Sequence, residues 1–268
     1  MNFEETIKLP TKDNGEKKET DPKNLFPKSP KEEILESNEK ESSNDLLGSG
    51  TNKTIFIQLR DDGSGIFKPK SGEAEGSRIG IEAGTYFKRE RAAYLVDRFF
   101  RLGLVPPTVI REIDSELGSL QEFIPDTTEY FGLDDKERKE IEQSVELLKL
   151  FILDYIIFNS DRHTQNILIK NKELYAIDNG LAFGKAYFRF WPKKPFNKPI
   201  PQEIQESLFD FSVSDKEQSA LRDLLSELLS PAEIDACLAR IEFIVRLIVR
   251  YGMIPNDTEL KFDPSINY

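Results

Sequence analysis

Three oxygen-bearing side chains dominate the chemistry of this chain. Asp161 and Asn166 stand five residues apart in Asp161-Arg162-His163-Thr164-Gln165-Asn166, and Asp178-Asn179-Gly180 follows twelve residues after Asn166. A carboxylate, a nearby amide and a second carboxylate supply what phosphoryl transfer requires. One group accepts or orients an attacking hydroxyl, and two hard oxygens hold magnesium. Asp161 is the candidate for the hydroxyl, and Asn166 and Asp178 are the candidate metal ligands. His163 is the only histidine in 268 residues. It is a second catalytic candidate, as general base or as stabiliser of a migrating phosphoryl group, unless it packs beneath the loop and holds Asp161. Arg162 reads as an internal brace. A lone loop aspartate is usually a cap or turn former, so the spacing of the three carries the argument. Asn166 also opens an apolar strand, an odd place for an amide with nothing to coordinate, and Gly180 is expected to permit the turn that projects Asp178.

The elements that must position these groups show in the periodicity. Residues 54–59 alternate β-branched and aromatic side chains, a turn follows at 61–65, and residues 66–68 resume an extended pattern, which predicts a hairpin. Lys68 lies on its second strand among apolar neighbours, where an unpartnered ammonium is costly. Residues 87–102 carry Ala92, Leu95, Val96, Phe99 and Phe100 at helical spacing. Glu90 on that helix is the expected partner of Lys68, with Glu73 and Glu82 as rivals. Extended segments follow at 108–112 and 119–124. A single buried helix over 137–158 delivers the loop that holds Asp161, and a short hairpin at 166–177 delivers Asp178. Two helices close the chain. In the last, Ser230-Pro231 with Glu233 makes a capping box, Gly252 terminates it, and Cys237 packs in its core stripe.

Composition limits the alternatives. The first 50 residues hold 20 Lys, Asp or Glu and only ten apolar residues, so residues 1–40 are expected to be a flexible tail with at most a transient helix near 32–39. A net charge of −11 argues against indiscriminate binding to nucleic acid or anionic membrane. One cysteine excludes an intrachain disulfide and fits a reducing compartment. No N-terminal apolar run reads as a secretory signal, and no apolar stretch is long enough to span a bilayer. A cytoplasmic location is the expectation, with transient membrane contact as the most that is allowed.

The motif Asp161-Arg162-His163-x-x-Asn166, with Ile177-Asp178-x-Gly180, resembles the catalytic domain of phosphatidylinositol 3-/4-kinases and their compact bacterial relatives. Its Asp-Asn-Gly form is also similar to atypical protein kinases of the secretory pathway, although those carry a signal sequence and cysteines absent here. Phe67-Lys68-Pro69 resembles the segment with the phosphate-binding lysine, 89–94 the helix with its glutamate, and 105–109 the strand after it. The likeness covers about residues 45–250. It implies an α+β, bilobal protein-kinase-like fold: a β-rich N-lobe at 41–124 and a mainly helical C-lobe at 125–268. It implies ATP and Mg2+ (Mn2+ possible), with Lys68 on the phosphates and Glu90 holding Lys68. Ser49, Gly50 and Asn52, in a Gly-Ser-x-Asn-like stretch before the first strand, become candidate phosphate contacts unless that stretch is only a linker. Gln121 and Phe123 belong to the expected inter-lobe connector, whose backbone would meet adenine.

Between residues 179 and 202 there are no acids, five basic residues and six aromatics. This local reversal of sign suggests an anionic acceptor: lipid headgroup, phosphorylated metabolite or acidic protein. The aromatics either touch an interface or pack the segment down. Transfer of AMP or another group on the same scaffold, or a nucleotide-binding module without turnover, are the alternatives.

Overall fold

The computed structural model describes residues 26–45, 52–61, 63–74, 80–185, 190 and 192–255. Alternation in the first half builds one antiparallel sheet. Its strands are β1 (Lys40–Asp45), β2 (Ile55–Leu59), β3 (Ser64–Pro69), β4 (Thr108–Ile113) and β5 (Glu116–Glu122), in the order β1-β2-β3-β5-β4. Ile57, Leu59, Phe67, Val109 and Leu120 turn to one face and are buried together. The register sets Lys68 opposite Ser119 and Pro69 opposite Gly118. A Cβ on Gly118 would lie 2.4 Å from the Lys68 carbonyl and 2.8 Å from the Phe67 ring, so this pairing admits only glycine there.

Helix α1 (Pro30–Ser37) packs beside this sheet, with Leu35 in its core. Residues 26–40 were expected to belong to a flexible tail, and that expectation does not hold. Ser29 and Glu32 close a capping box around Pro30, and Glu32 is fully buried. A charge-rich composition reads as solvated only when its charges find no partners. Here they do. Helix α2 (Tyr86–Phe99) lies between the sheet and the second half of the chain.

That second half holds a small sheet of β6 (Thr128–Glu129), β7 (Ile167–Lys170) and β8 (Glu173–Ala176), with helices α3 (Asp135–Gln143) and α4 (Val145–Ile156). The single helix expected over 137–158 is two. Ser144 is extended (φ −72°, ψ 158°), its hydroxyl donates to the Ile141 carbonyl (2.7 Å), and its oxygen caps Leu147 N–H (3.2 Å). A serine that satisfies both helix ends competes successfully with a continuous helix. The β7–β8 turn has positive φ at Asn171 (52°) and Lys172 (70°), the twist a two-residue hairpin turn requires.

Three helices close the described chain, not two: α5 (Gln202–Ser212), α6 (Asp215–Leu225) and α7 (Pro231–Tyr251). Two residues, Val213 and Ser214, separate the first pair, and Ser214 caps α6 through Glu217 N–H. The capping box at Ser230 and the terminator Gly252 (φ 66°) lie where the sequence placed them. Cys237 is buried in the large helical core, which pushes its thiol up to about 11. Among the described residues no helix is long and apolar enough to cross a membrane.

Candidate active site

Lys68 leaves β3 where the sheet faces the helical half. Its ammonium donates to Glu90 Oε1 on α2 at 2.6 Å and to Asp178 Oδ1 at 2.8 Å. Glu73 and Glu82, the rivals for this partner, are used elsewhere or not at all in this contact. Burial alone would depress the Lys68 pKa, but the Asp178 and Glu90 carboxylates reverse the balance and raise it above the usual lysine range. Asp178 responds in the opposite sense: the Lys68 charge, with help from Arg162 and His163, holds its half-exposed carboxyl below the usual range against partial desolvation. Glu90 is further fixed by Asn179 N–H, which donates to Oε2 at 2.9 Å.

The turn that projects Asp178 differs from expectation. Asp178 itself takes the positive φ (56°), a region aspartate tolerates better than most residues. Gly180 marks a close approach instead, because a Cβ there would sit 3.1 Å from Tyr86 Cβ at the start of α2, tighter than an ordinary contact.

The loop after α4 is organised around Arg162, whose side chain is fully buried. Its Nε and Nη2 donate to the equally buried Asp154 (2.9 and 3.2 Å), and its Nη1 donates to the carbonyls of Asn166 (2.7 Å) and Ile177 (2.6 Å). Nη2 also reaches Asn179 Oδ1. Ile177 N–H bonds directly to the Asn166 carbonyl at 3.1 Å. One guanidinium therefore brings the two candidate metal ligands, Asn166 and Asp178, onto adjacent backbone. Asn166 Nδ2 donates to the Asp161 carbonyl (3.2 Å), so the amide oxygen faces the opposite way. Asp161 N–H is held by Asn159 Oδ1 (2.8 Å) and its carbonyl by His163 N–H (2.7 Å). His163 Nδ1 accepts Gln165 N–H at 3.3 Å, which leaves the proton of the neutral ring on Nε2. One carboxylate and one amide oxygen, both hard donors, fit a magnesium ion completed by phosphates and water.

Around the cleft the outcome is mixed. Ser49 and Gly50 lie outside the described residues. Asn52 Oδ1 accepts Ala74 N–H at 2.9 Å and so ties the loop before β2 to the one after β3. Asn52 lines one small pocket with Lys53, Lys68, Glu90 and Asp178, and Lys53 is a cation the sequence reading missed. Gln121 and Glu122 are in β5 and not in the connector. The buried Gln121 amide donates to Thr108 Oγ1 (2.9 Å). Glu122 N–H and Phe123 N–H are committed to the carbonyls of Pro107 (2.7 Å) and Ser64 (3.1 Å). A purine can therefore meet these two residues only through carbonyls or side chains.

Two further residues steady α2, and neither had a sequence signal beyond its charge. Glu73 accepts Tyr86 N–H (3.0 Å), Phe87 N–H (2.8 Å) and Gly84 N–H, capping a helix whose Thr85 provides no side-chain cap. Arg89 donates to the Ala182 carbonyl (2.7 Å) and to Glu233 of α7. In the basic segment, Phe190 and Phe196 pack edge-on against Phe151, Lys194 lies over Phe196, and Lys198 donates to the Glu142 carbonyl. These described aromatics pack the segment down. Arg189 and Trp191 lie outside the described residues.

Residues 57–233 match the family described as Phosphatidylinositol 3- and 4-kinase. Phosphatidylinositol 4-kinase type 2-beta of Mus musculus is 28% identical over 216 residues, covering 66% of this chain and 43% of that protein. Phosphatidylinositol 4-kinase gamma 4 of Arabidopsis thaliana is 30% identical over 171 residues, covering 52% and 29%. The chain thus spans less than half the length of these curated relatives. Among solved structures, the Golgi casein kinase with Mn/ADP bound superposes with a TM-score of 0.54 at 16% identity, over 88% of this chain and 80% of that one. The Helicobacter pylori proinflammatory kinase CtkA gives 0.51 at 10% identity, over 85% and 98%. At such identities the likeness is one of fold: a bilobal, α+β, kinase-like architecture.

Proposed function

The chain belongs to the phosphatidylinositol 3- and 4-kinase family, and from that premise we propose that it transfers the γ-phosphoryl group of ATP to a hydroxyl of an anionic acceptor. The observation that carries this reading is the Lys68 ammonium held between Glu90 and Asp178, with Asn166 on the backbone beside Asp178. In this reading Lys68 holds the α- and β-phosphates, and Glu90 keeps it extended into the cleft. Asn166 and Asp178 hold a divalent cation, which when bound neutralises charge on the phosphate oxygens. Magnesium suits the donors, and the manganese in the Golgi casein kinase structure supports Mn2+ as a substitute.

Asp161 orients the acceptor hydroxyl and takes its proton. His163, with its proton on Nε2, acts as a hydrogen-bond donor to the transferring group and not as the base. The phosphoinositide headgroup is the first acceptor to test, given the names of the curated relatives. A phosphorylated metabolite and an acidic protein are the others.

The test is transfer of labelled γ-phosphate from ATP to phosphatidylinositol vesicles and to a protein mixture, with Asp178→Ala in parallel. Incorporation by the wild type with loss in the variant, and ADP as product, supports the reading. AMP as product, or equal incorporation by Asp178→Ala, overturns it.

A further inference from the structure

Glu32 is fully buried, yet it lies in α1, ahead of the family-matched region. Its carboxylate accepts from Arg91 Nη1 (2.7 Å), Tyr94 OH (3.0 Å) and Ser29 N–H (2.9 Å), and it pairs with Arg98 Nη1 at 2.9 Å. Positions 91, 94 and 98 share one face of α2. That helix also carries Glu90, whose side chain meets Lys68. Burial pushes the Glu32 carboxyl upward, but Ser29 N–H and the two guanidiniums outweigh it and hold the group below its usual range.

The contacts extend along the whole segment. Phe26 stacks on Phe99 (4.8 Å between centroids), Arg111 Nη1 donates to the carbonyls of Leu35 (2.6 Å) and Asn38 (3.0 Å), and Lys31 pairs with Glu122 at 2.6 Å. Residues 26–38 therefore run from the end of α2 past the end of β5 to β4. A buried carboxylate with two guanidiniums contributes little net stability but tolerates few alternative placements, since any displacement strands a charge. Such a group specifies where a helix sits.

We propose that Glu32 is a positioning residue for phosphoryl transfer: by gripping Arg91, Tyr94 and Arg98 it sets α2 where Glu90 reaches Lys68. This rests on the reading of Lys68 and Glu90 given above. Glu73 fixes the N-terminus of α2 and Arg89 its side towards α7, and Glu32 holds the face that carries Arg91, Tyr94 and Arg98.

The experiment is a double-mutant cycle in the full chain, with turnover expressed per folded molecule at a temperature well below unfolding. Glu32→Ala is expected to lower kcat about tenfold, within the span of couplings seen in shared networks. In a Glu90→Gln background the same change should cost less than about twofold, because the contact it supports is already broken. A purely structural residue would show no loss per folded molecule, or the same loss in both backgrounds, and either result overturns the proposal. Tyr94→Phe removes only a hydroxyl that bonds Glu32 and keeps the cycle usable should Glu32→Ala not fold; it should show a smaller loss with the same non-additivity. A silent wild type overturns the proposed function and this role together, whereas an active wild type indifferent to Glu32→Ala overturns this inference alone.

Discussion

Asp154→Asn is the most informative single perturbation of the fold, because it lies behind the site and reaches it through its buried partners Arg162 and Asn159. Both side chains of the pair are fully buried, and the guanidinium makes two bonds to the carboxylate and two to the carbonyls beside the candidate metal ligands. Removing one charge of a buried pair leaves the other uncompensated, at about 3–5 kcal/mol. Against the roughly 5–15 kcal/mol by which a domain is stable, that is about a fifth of the total or more. Arg162→Met should cost a similar amount. The Asn166 carbonyl keeps Ile177 N–H at 3.1 Å, so the backbone there is weakened and not stripped. The double variant Asp154→Leu/Arg162→Met strands no charge and should be more stable than either single variant. Urea unfolding followed by circular dichroism, with m unchanged, measures each value. The double variant should still be inactive, since the guanidinium that holds both the Asn166 and Ile177 carbonyls is gone and the Ile177 N–H bond alone joins the two stretches. Single variants that cost under about 1 kcal/mol, or a double variant less stable than both, would refute the reasoning on energetics. Full turnover in the double variant would refute the brace.

Three other outcomes follow from particular contacts. Gly118→Ala forces its methyl to 2.4 Å from the Lys68 carbonyl; it should cost about 1–3 kcal/mol and shrink the thermal shift produced by MgATP, both readable in one melting series. Glu73→Ala strips the cap from α2 and should cost about 1–2 kcal/mol, with faster hydrogen exchange at the amides of Tyr86 and Phe87. Asp97 is buried against Leu104 N–H (3.0 Å), and burial pushes its carboxyl from 3.8 up to about 7. The folded state then binds the proton that the unfolded state has lost, so this group's contribution to stability falls as pH rises from about 4 to about 7. The wild-type minus Asp97→Asn difference in unfolding free energy should fall across that window, and a flat difference would contradict the assignment.

Much of the candidate site was legible as a local cluster because its parts are close along the chain. Asp161, Arg162, His163 and Asn166 share one loop, and a two-residue turn joins the strands that lead to Asp178. Local spacing therefore fixes their proximity before any tertiary contact forms. The hairpin at β2–β3 and helices α2 and α7 were equally plain, because side-chain periods of two and 3.6 are set by backbone geometry alone. The break at Ser144 escaped the apolar period, which continues across it while the hydroxyl ends one helix and starts the next.

What the chain alone determined is therefore the chemistry on offer and most of the elements that carry it. Whether a charge is solvated or buried is decided by segments far apart in sequence. Glu32 reads as one more acid in a polar tail until α2 brings two arginines and a tyrosine to it. Gly180 looks like a turn former until Tyr86 approaches it. Glu73 looks like a rival for Lys68 until the amides of α2 claim it. Composition counts charges, but the cost of burying one depends on the partner that meets it, and only the folded chain chooses that partner.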